Sequence, residues 1–313
     1  MSVDWHVWPR CNYACTFCFA TFPGVERALP RADAVRLLSL LRDAGTRKLS
    51  FAGGEPTLCP HLPELLRAAK EAGMTTMIVT NATRLSPAYL RLVAPVTDWI
   101  AISVDSISNA VEEALGRGHG NHVDLVRQAA RRVQAEGIRL KLNTVVTALT
   151  WEEDMHALIR DLRPARWKVF QALPIIGEND GFLHWVSADQ FRAFLDRHAD
   201  LEPVGEDNEA MTESYVMLDP LGRFFQNTDG IYVYSPSVLE VGVSVALEHA
   251  GWNRDRFIAR GGLYDWDPGR DPAERHGQWT IPSLRGPSGS LREPFDDLSE
   301  SHGDRAVNPR ETD

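Results

Sequence analysis

Three cysteines, Cys11, Cys15 and Cys18, fall within eight residues in a C-x3-C-x2-C arrangement just after a short β-rich run. No other feature constrains the chain as strongly. Only four cysteines occur in 313 residues, too few for a disulfide framework at this size. Crowded thiols in a reducing compartment point instead to metal. Iron–sulfur clusters are held by cysteine thiolates, and three ligands leave one iron of a four-iron cubane without a protein ligand. That open corner can take the amino and carboxylate groups of S-adenosylmethionine (SAM). The competing reading is a structural zinc ion, which wants four ligands, usually as two separated pairs. Here the fourth would have to be Cys59 or a histidine, and neither has a companion at zinc-like spacing. Cys59 reads as a packed core residue.

Around the loop, β-rich runs at residues 4–8, 48–51, 76–80, 99–104, 139–146 and 166–171 alternate with amphipathic stretches. The helices expected between them cover 34–41, 62–72, 87–93, 122–136 and 151–162, several stopped by a glycine such as Gly45, Gly73 or Gly137. Such alternation predicts right-handed βα units and a parallel sheet. Periodicity alone does not decide between an open sheet and a partial barrel. One more helix is expected over 187–198. A hairpin follows, with strands 215–218 and 223–225 around Asp219-Pro220-Leu221-Gly222, and then a helix over 238–249. Residues 267–313, rich in Pro, Gly, Ser, Arg and Asp, are predicted to be a mostly disordered tail. The expected domains are 1–200, 201–266 and that tail.

A formal net charge of −10 argues against broad nucleic-acid binding, while local cations can still hold a small polyanion. No apolar run reaches membrane-spanning length, and no signal peptide is read at the start. The expectation is a cytoplasmic monomer without membrane contact.

At the end of the second strand stands Ala52-Gly53-Gly54-Glu55-Pro56. Glycines at a strand end let the backbone approach a ligand closely, and Glu55 adds an acceptor for a ligand ammonium. Together with the cysteine loop, this resembles the radical SAM superfamily, in which the element borders the methionyl group of SAM. Further runs narrow the resemblance to the viperin family: Asn121-His122-Val123, Glu152-Glu153-Asp154-Met155, Arg166-Trp167-Lys168-Val169-Phe170-Gln171, Gly177-Glu178-Asn179, Ser214-Tyr215 and Arg260-Gly261-Gly262-x-Tyr264-x-Trp266. They are collinear over about residues 3–266.

The resemblance implies an α/β fold, a partial (β/α)6 barrel with a C-terminal α/β extension closing over a nucleotide site. It implies a [4Fe–4S] cluster on the three cysteines and SAM as co-substrate. It also implies conversion of a ribonucleoside triphosphate, CTP first with UTP or GTP as alternatives, to a 3′-deoxy-3′,4′-didehydro analogue that terminates polymerisation. An electron donor such as flavodoxin or ferredoxin is the implied partner. Phe17, Gly53, Gly54, Glu55, Asn81, Ser103 and Arg117 are the SAM-side candidates. Lys141 and Asn143 alternate on one strand face, as do Arg166 and Lys168 on the next. Inward cations are costly without anions, and a triphosphate supplies them. Lys48 joins this group, and Arg260 is expected to close over the phosphates. Tyr215 matches the family tyrosine proposed to deliver a proton as the 3′-hydroxyl leaves.

Four departures stand out. Ala52 replaces a serine near the nucleotide. Residues 227–237 lack the family's lysines, and 47 residues follow Trp266, where the family ends. The family's membrane-tethering helix has no counterpart before Trp5, which fits the soluble expectation. A different radical SAM enzyme acting on another nucleotide or on a peptide is the alternative, although no cysteine after Cys59 remains for a second all-cysteine cluster. A metal-stabilised binding module is the remaining one.

Overall fold

A computed structural model describes residues 1–262. The expected tail and the Tyr264-x-Trp266 motif lie outside the described residues. The parallel strands are β1 (Ser2–Trp8), β2 (Lys48–Gly53), β3 (Thr75–Thr80), β4 (Trp99–Ser103), β5 (Arg139–Val146), β6 (Arg166–Gln171) and β7 (Val204–Glu206). The helices α1 (Arg31–Asp43), α2 (Leu62–Glu71), α3 (Pro87–Val93), α4 (Asn109–Ala114), α5 (His122–Ala135), α6 (His156–Leu162) and α7 (Ala188–Arg197) fall between them. Each longer helix buries one apolar stripe, such as Ala34, Leu37, Leu38 and Leu41 of α1 or Val126, Ala130 and Val133 of α5. Side-chain caps fix several starts, among them Ser86 before α3 and a Ser187–Gln190 capping box before α7.

Beyond β7 the chain adds α8 (Asn208–Met211), β8 (Met217–Leu218), β9 (Arg223–Thr228), β10 (Ile231–Ser237), α9 (Val238–Val241), α10 (Val243–His249) and α11 (Arg254–Ala259). The sheet runs β10-β9-β8-β1-β2-β3-β4-β5-β6-β7. β8 lies parallel against β1, with Asp4 opposite Met217, and β9 and β10 continue antiparallel. Side chains bridge from the β8 end to the β6–β7 end: the Tyr215 hydroxyl, just before β8, bonds both Lys168 of β6 and Glu206 of β7. The parallel strands thus wrap a cavity without closing into a complete barrel.

Differences from the sequence reading have local causes. β7 is a seventh parallel strand of three residues, too short to show a period. The hairpin runs longer than expected and continues into β10. The helix expected over 238–249 breaks at Gly242, whose φ of 81° lies outside helical space. The helix expected from 151 starts only at His156, because Thr147 and Thr150 bind each other and fold 147–151 into a turn. Among the described residues no helix is long and apolar enough to cross a membrane.

Candidate active site

A cavity of about 270 Å³ lies on the inner face of the sheet and carries both predicted groups. At the carboxyl ends of the strands it meets Cys11, Cys15 and Cys18, with Phe17, Gly53, Gly54, Asn81, Ser103 and Arg117 around them. Deeper in, it meets Asp4, Lys48, Lys141, Asn143, Lys168, Tyr215 and Arg260.

Backbone contacts hold the cysteine end. Gly54 N–H donates to the Trp8 carbonyl at 2.7 Å, and Glu55 N–H to the Arg10 carbonyl at 2.8 Å. This approach excludes side chains at the glycines. A Cβ on Gly53 would lie 2.4 Å from the Trp8 oxygen, and one on Gly54 2.3 Å from the Arg10 carbonyl carbon. The loop that follows the cysteines is clasped by Gly177-Glu178-Asn179. Glu178 Oε2 accepts from the N–H groups of Thr21 and Phe22, and Asn179 Nδ2 donates to the Phe17 carbonyl at 3.1 Å.

The donor set fits an iron–sulfur cluster. The sulfurs face the cavity, yet withdrawal from bulk water raises all three thiols, Cys15 up to about 12. Three thiolates facing one cavity need a compensating metal charge. A single tetrahedral zinc holds thiolates about 2.3 Å from one centre. Among the described residues, the group of three side chains placed to hold a single ion is Asp154, His156 and His198, with ligand atoms within 4.8 Å of one another. Those two histidines are hydrogen-bonded otherwise. His198 Nε2 accepts from Met155 N–H and its Nδ1 donates to the Phe194 carbonyl, while His156 bridges Asp154 and Asp200.

The register orders the deeper end. Ser103, Asn143 and Lys168 form one layer, and Ala101, Lys141 and Arg166 the layer beneath. Lys48, Lys141 and Lys168 are all buried. Burial holds Lys48 and Lys141 well below the ordinary lysine range, with neighbouring cations, Arg166 among them, adding to the effect. Lys168 is lowered to about 8 by burial, which Glu206 opposes. Burial alone would raise the Asp4 carboxyl, but Lys48, Lys141 and Lys168 hold it below its usual value. Asn143 Oδ1 is buried and has no hydrogen-bond partner among the described residues.

Glu206, only 3% exposed, organises this end from behind. Its carboxylate lies 2.6 Å from Lys168 Nζ and accepts from Arg260 at 3.0 Å and from the Tyr215 hydroxyl. Lys168 donates to Tyr215 Oη at 2.7 Å, and the Arg260 guanidinium lies 3.6 Å from the Tyr215 ring centroid. Burial and the adjacent carboxylate drive the Tyr215 phenol well above its ordinary value.

The structure departs from several expected placements. Glu55 does not line the cavity: its carboxylate is fully buried and accepts from Thr57 N–H, Thr57 Oγ1, Thr80 Oγ1 and Asn81 N–H, tying β2 to β3. Asn81 lines it, but its side chain braces the cysteine loop through Asn12 and Thr83. Arg117 lines it while paired with Asp105 at 2.6 Å and near Glu112 at 3.6 Å. Arg166 is half-buried and adjoins the cavity through its field on Lys48 and Lys141. Asp4 and Glu206 were not singled out by sequence. Asp4 sits in a strand where Val3 and the residues from Trp5 to Trp8 are apolar or aromatic, a weak signal; Glu206 offered none.

Comparison with known proteins agrees with this geometry. The model of the radical SAM superfamily matches residues 5–162. An S-adenosylmethionine-dependent nucleotide dehydratase of Flammeovirga pacifica is 42% identical over 277 residues, 85% of this chain and 96% of that protein. One from a Thermoplasmatales archaeon is 34% identical over 85% and 96%. The S-adenosylmethionine-dependent nucleotide dehydratase RSAD2 of Danio rerio is 35% identical over 85% and 78%. Among solved structures, anSMEcpe with bound AdoMet superposes with a TM-score of 0.61 at 12% identity, covering 84% of this chain and 83% of that one. That likeness concerns the fold.

Proposed function

We propose, for a chain that belongs to the radical SAM superfamily and within it to the S-adenosylmethionine-dependent nucleotide dehydratases, that it removes water from a ribonucleoside triphosphate. A [4Fe–4S] cluster and SAM are the cofactors that this membership brings. Cys11, Cys15 and Cys18 would hold the cluster. When bound and reduced, it supplies the electron that cleaves SAM to a 5′-deoxyadenosyl radical.

The single observation that carries the substrate class is the charge of the deeper end. Lys48, Lys141, Lys168, Arg166 and Arg260 gather around one cavity, and among the described residues the carboxylates of Asp4 and Glu206 act on them. Burial makes charge costly on these side chains, and a triphosphate is the kind of ligand that stabilises their charged forms. Arg166 and Arg260 suit bidentate phosphate contact. The partnerless Asn143 Oδ1, in the same layer as Ser103 of the cysteine end, suits a ribose hydroxyl. Phosphates held by the cation end and SAM held at the cysteine end would leave the ribose between them, beside Asn143.

Loss of the 3′-hydroxyl then needs a proton at that oxygen. The Tyr215 hydroxyl donates to Glu206 and accepts from Lys168, so a leaving oxygen that took the place of Glu206 as acceptor would receive the phenolic proton, and Lys168 would replace it. Departure of the hydroxyl as water leaves the sugar one electron short, and one further electron from the external reductant gives a 3′-deoxy-3′,4′-didehydro nucleotide, without the hydroxyl that polymerases extend. CTP is the first substrate to try, with UTP and GTP next; a flavodoxin- or ferredoxin-like donor supplies electrons.

Anaerobic reconstitution with iron and sulfide, followed by SAM, dithionite and each of the four ribonucleotides, tests this reading. The expected outcome is strong stimulation of 5′-deoxyadenosine release by one triphosphate, with a product lighter by one water. A brown, SAM-cleaving protein that none of the four stimulates would overturn it.

A further inference from the structure

Between β4 and α5 the chain makes an excursion over residues 104–121 that touches the cysteine loop from outside. The Leu115 and Gly116 carbonyls accept from the N–H groups of Thr16 at 3.0 Å and Ala14 at 3.2 Å. A Cβ at Gly116 would lie 2.1 Å from the Ala14 carbonyl oxygen, so the two segments meet backbone to backbone. The same excursion grips the end of β4. Glu112 Oε1 accepts from the N–H groups of Asp105 and Ser106 at 2.7 and 3.0 Å, and Arg117 donates to Asp105.

One side chain joins the two regions. His122, the first residue of α5, is 0% exposed. Its Nε2 lies 2.8 Å from the Ser103 carbonyl oxygen and its Nδ1 3.4 Å from Tyr13 Oη. A carbonyl only accepts, so Nε2 carries the hydrogen, and Nδ1 of the neutral ring accepts from the tyrosine hydroxyl. Burial and the nearby Arg117 cation lower His122 to about 4, which keeps the ring neutral. The Tyr13 and His122 rings meet edge to face at 5.5 Å, and a Cβ at Gly118 would crowd His122 Cβ at 2.9 Å. Tyr13 stands between the first two cysteines, while Ser103 ends β4 and lines the cavity. His122 itself stays behind the wall.

We propose that His122 is a positioning residue for SAM: through Ser103 on one side and Tyr13 on the other, it sets the spacing between the β4 end that faces the cofactor and the loop that holds the metal. The proposal rests on SAM and not on the nucleotide, so a protein that dehydrated no ribonucleotide would still test it.

The test uses the full chain, reconstituted anaerobically, with SAM affinity measured by calorimetry and the reduced cluster followed by electron paramagnetic resonance. His122→Phe removes both contacts and should weaken SAM binding about tenfold, the worth of one or two buried hydrogen bonds. Iron content should stay unchanged, and the spectral change that SAM induces in the reduced cluster should diminish. Affinity for inorganic tripolyphosphate, a probe of the cation end, should stay within about twofold because none of those contacts is touched. Tyr13→Phe should cost about threefold in SAM affinity, and the double variant should be no worse than His122→Phe, because the tyrosine acts through the histidine. Unchanged SAM affinity and spectra in the folded variants would overturn the proposal, as would a parallel loss of SAM and tripolyphosphate binding. Should His122→Phe not fold, Tyr13→Phe decides alone: wild-type SAM affinity in that variant sinks the idea.

Discussion

The two ends of the cavity are held in place by different means. At the cysteine end, backbone meets backbone, with glycines where side chains would collide and carbonyls of Trp8, Arg10 and Leu115 taking the hydrogen bonds. At the cation end, side chains hold side chains, and Glu206 alone reaches Lys168, Tyr215 and Arg260. A backbone cradle is rigid before any ligand arrives. A cluster of charged side chains can rearrange its pairs when a charged ligand joins it. The first arrangement suits a resident cofactor, the second a substrate that comes and goes.

The comparison breaks most visibly if the ends are not separable. Cys15→Ala should reduce 5′-deoxyadenosine release to background with every nucleotide, while tripolyphosphate binding, read by calorimetry, persists. Tyr215→Phe should act in the opposite sense. SAM cleavage should continue while dehydrated product falls about 100-fold, as for loss of a general acid, and mass spectrometry of the nucleotide checks it. Undiminished product would remove Tyr215 from the chemistry.

Glu206→Gln sharpens the contrast in stability. Leaving Lys168 and Arg260 without their buried counter-ion should cost about 3 kcal/mol in urea unfolding. Added tripolyphosphate should restore more of that loss than the same anion adds to the wild type, since it replaces the missing charge. Gentlest is the pH effect. Lys168 is lowered to about 8, and phosphate prefers the charged ammonium. Nucleotide affinity should therefore fall as pH rises through 8, about tenfold between pH 7 and 9, while SAM affinity does not follow. A flat nucleotide profile would take Lys168 out of the phosphate site.

The same contrast explains what could be read from the sequence. The cysteine end is local: C-x3-C-x2-C and the Gly-Gly pair sit at strand ends, so their residues announce the site before any folding is considered. The alternation Lys141, Asn143 and Arg166, Lys168 also survives in one dimension, because strand geometry turns period two into a shared face. Ser103, Arg117 and Tyr215 came from family resemblance alone; no spacing marks them. Glu206 was beyond reach, since its strand is three residues long and its partners lie at positions 168, 215 and 260. Its meaning exists only once β7 is in register with β6. Glu55 misled for a related reason: its motif marks a ligand edge, but its carboxylate turns inward to bind β3.

The placing of β8 beside β1 bears on how the molecule is made. A ribosome delivers the thiols early, while the strand that covers the open flank of the first one emerges only after residue 217. Until then β1 has a neighbour on one side alone, and the wall to which Tyr215 and Arg260 belong is missing. Iron delivered to the nascent polypeptide would meet a vestibule open to water and oxygen. Loading once β8 is in place is the order that this topology favours.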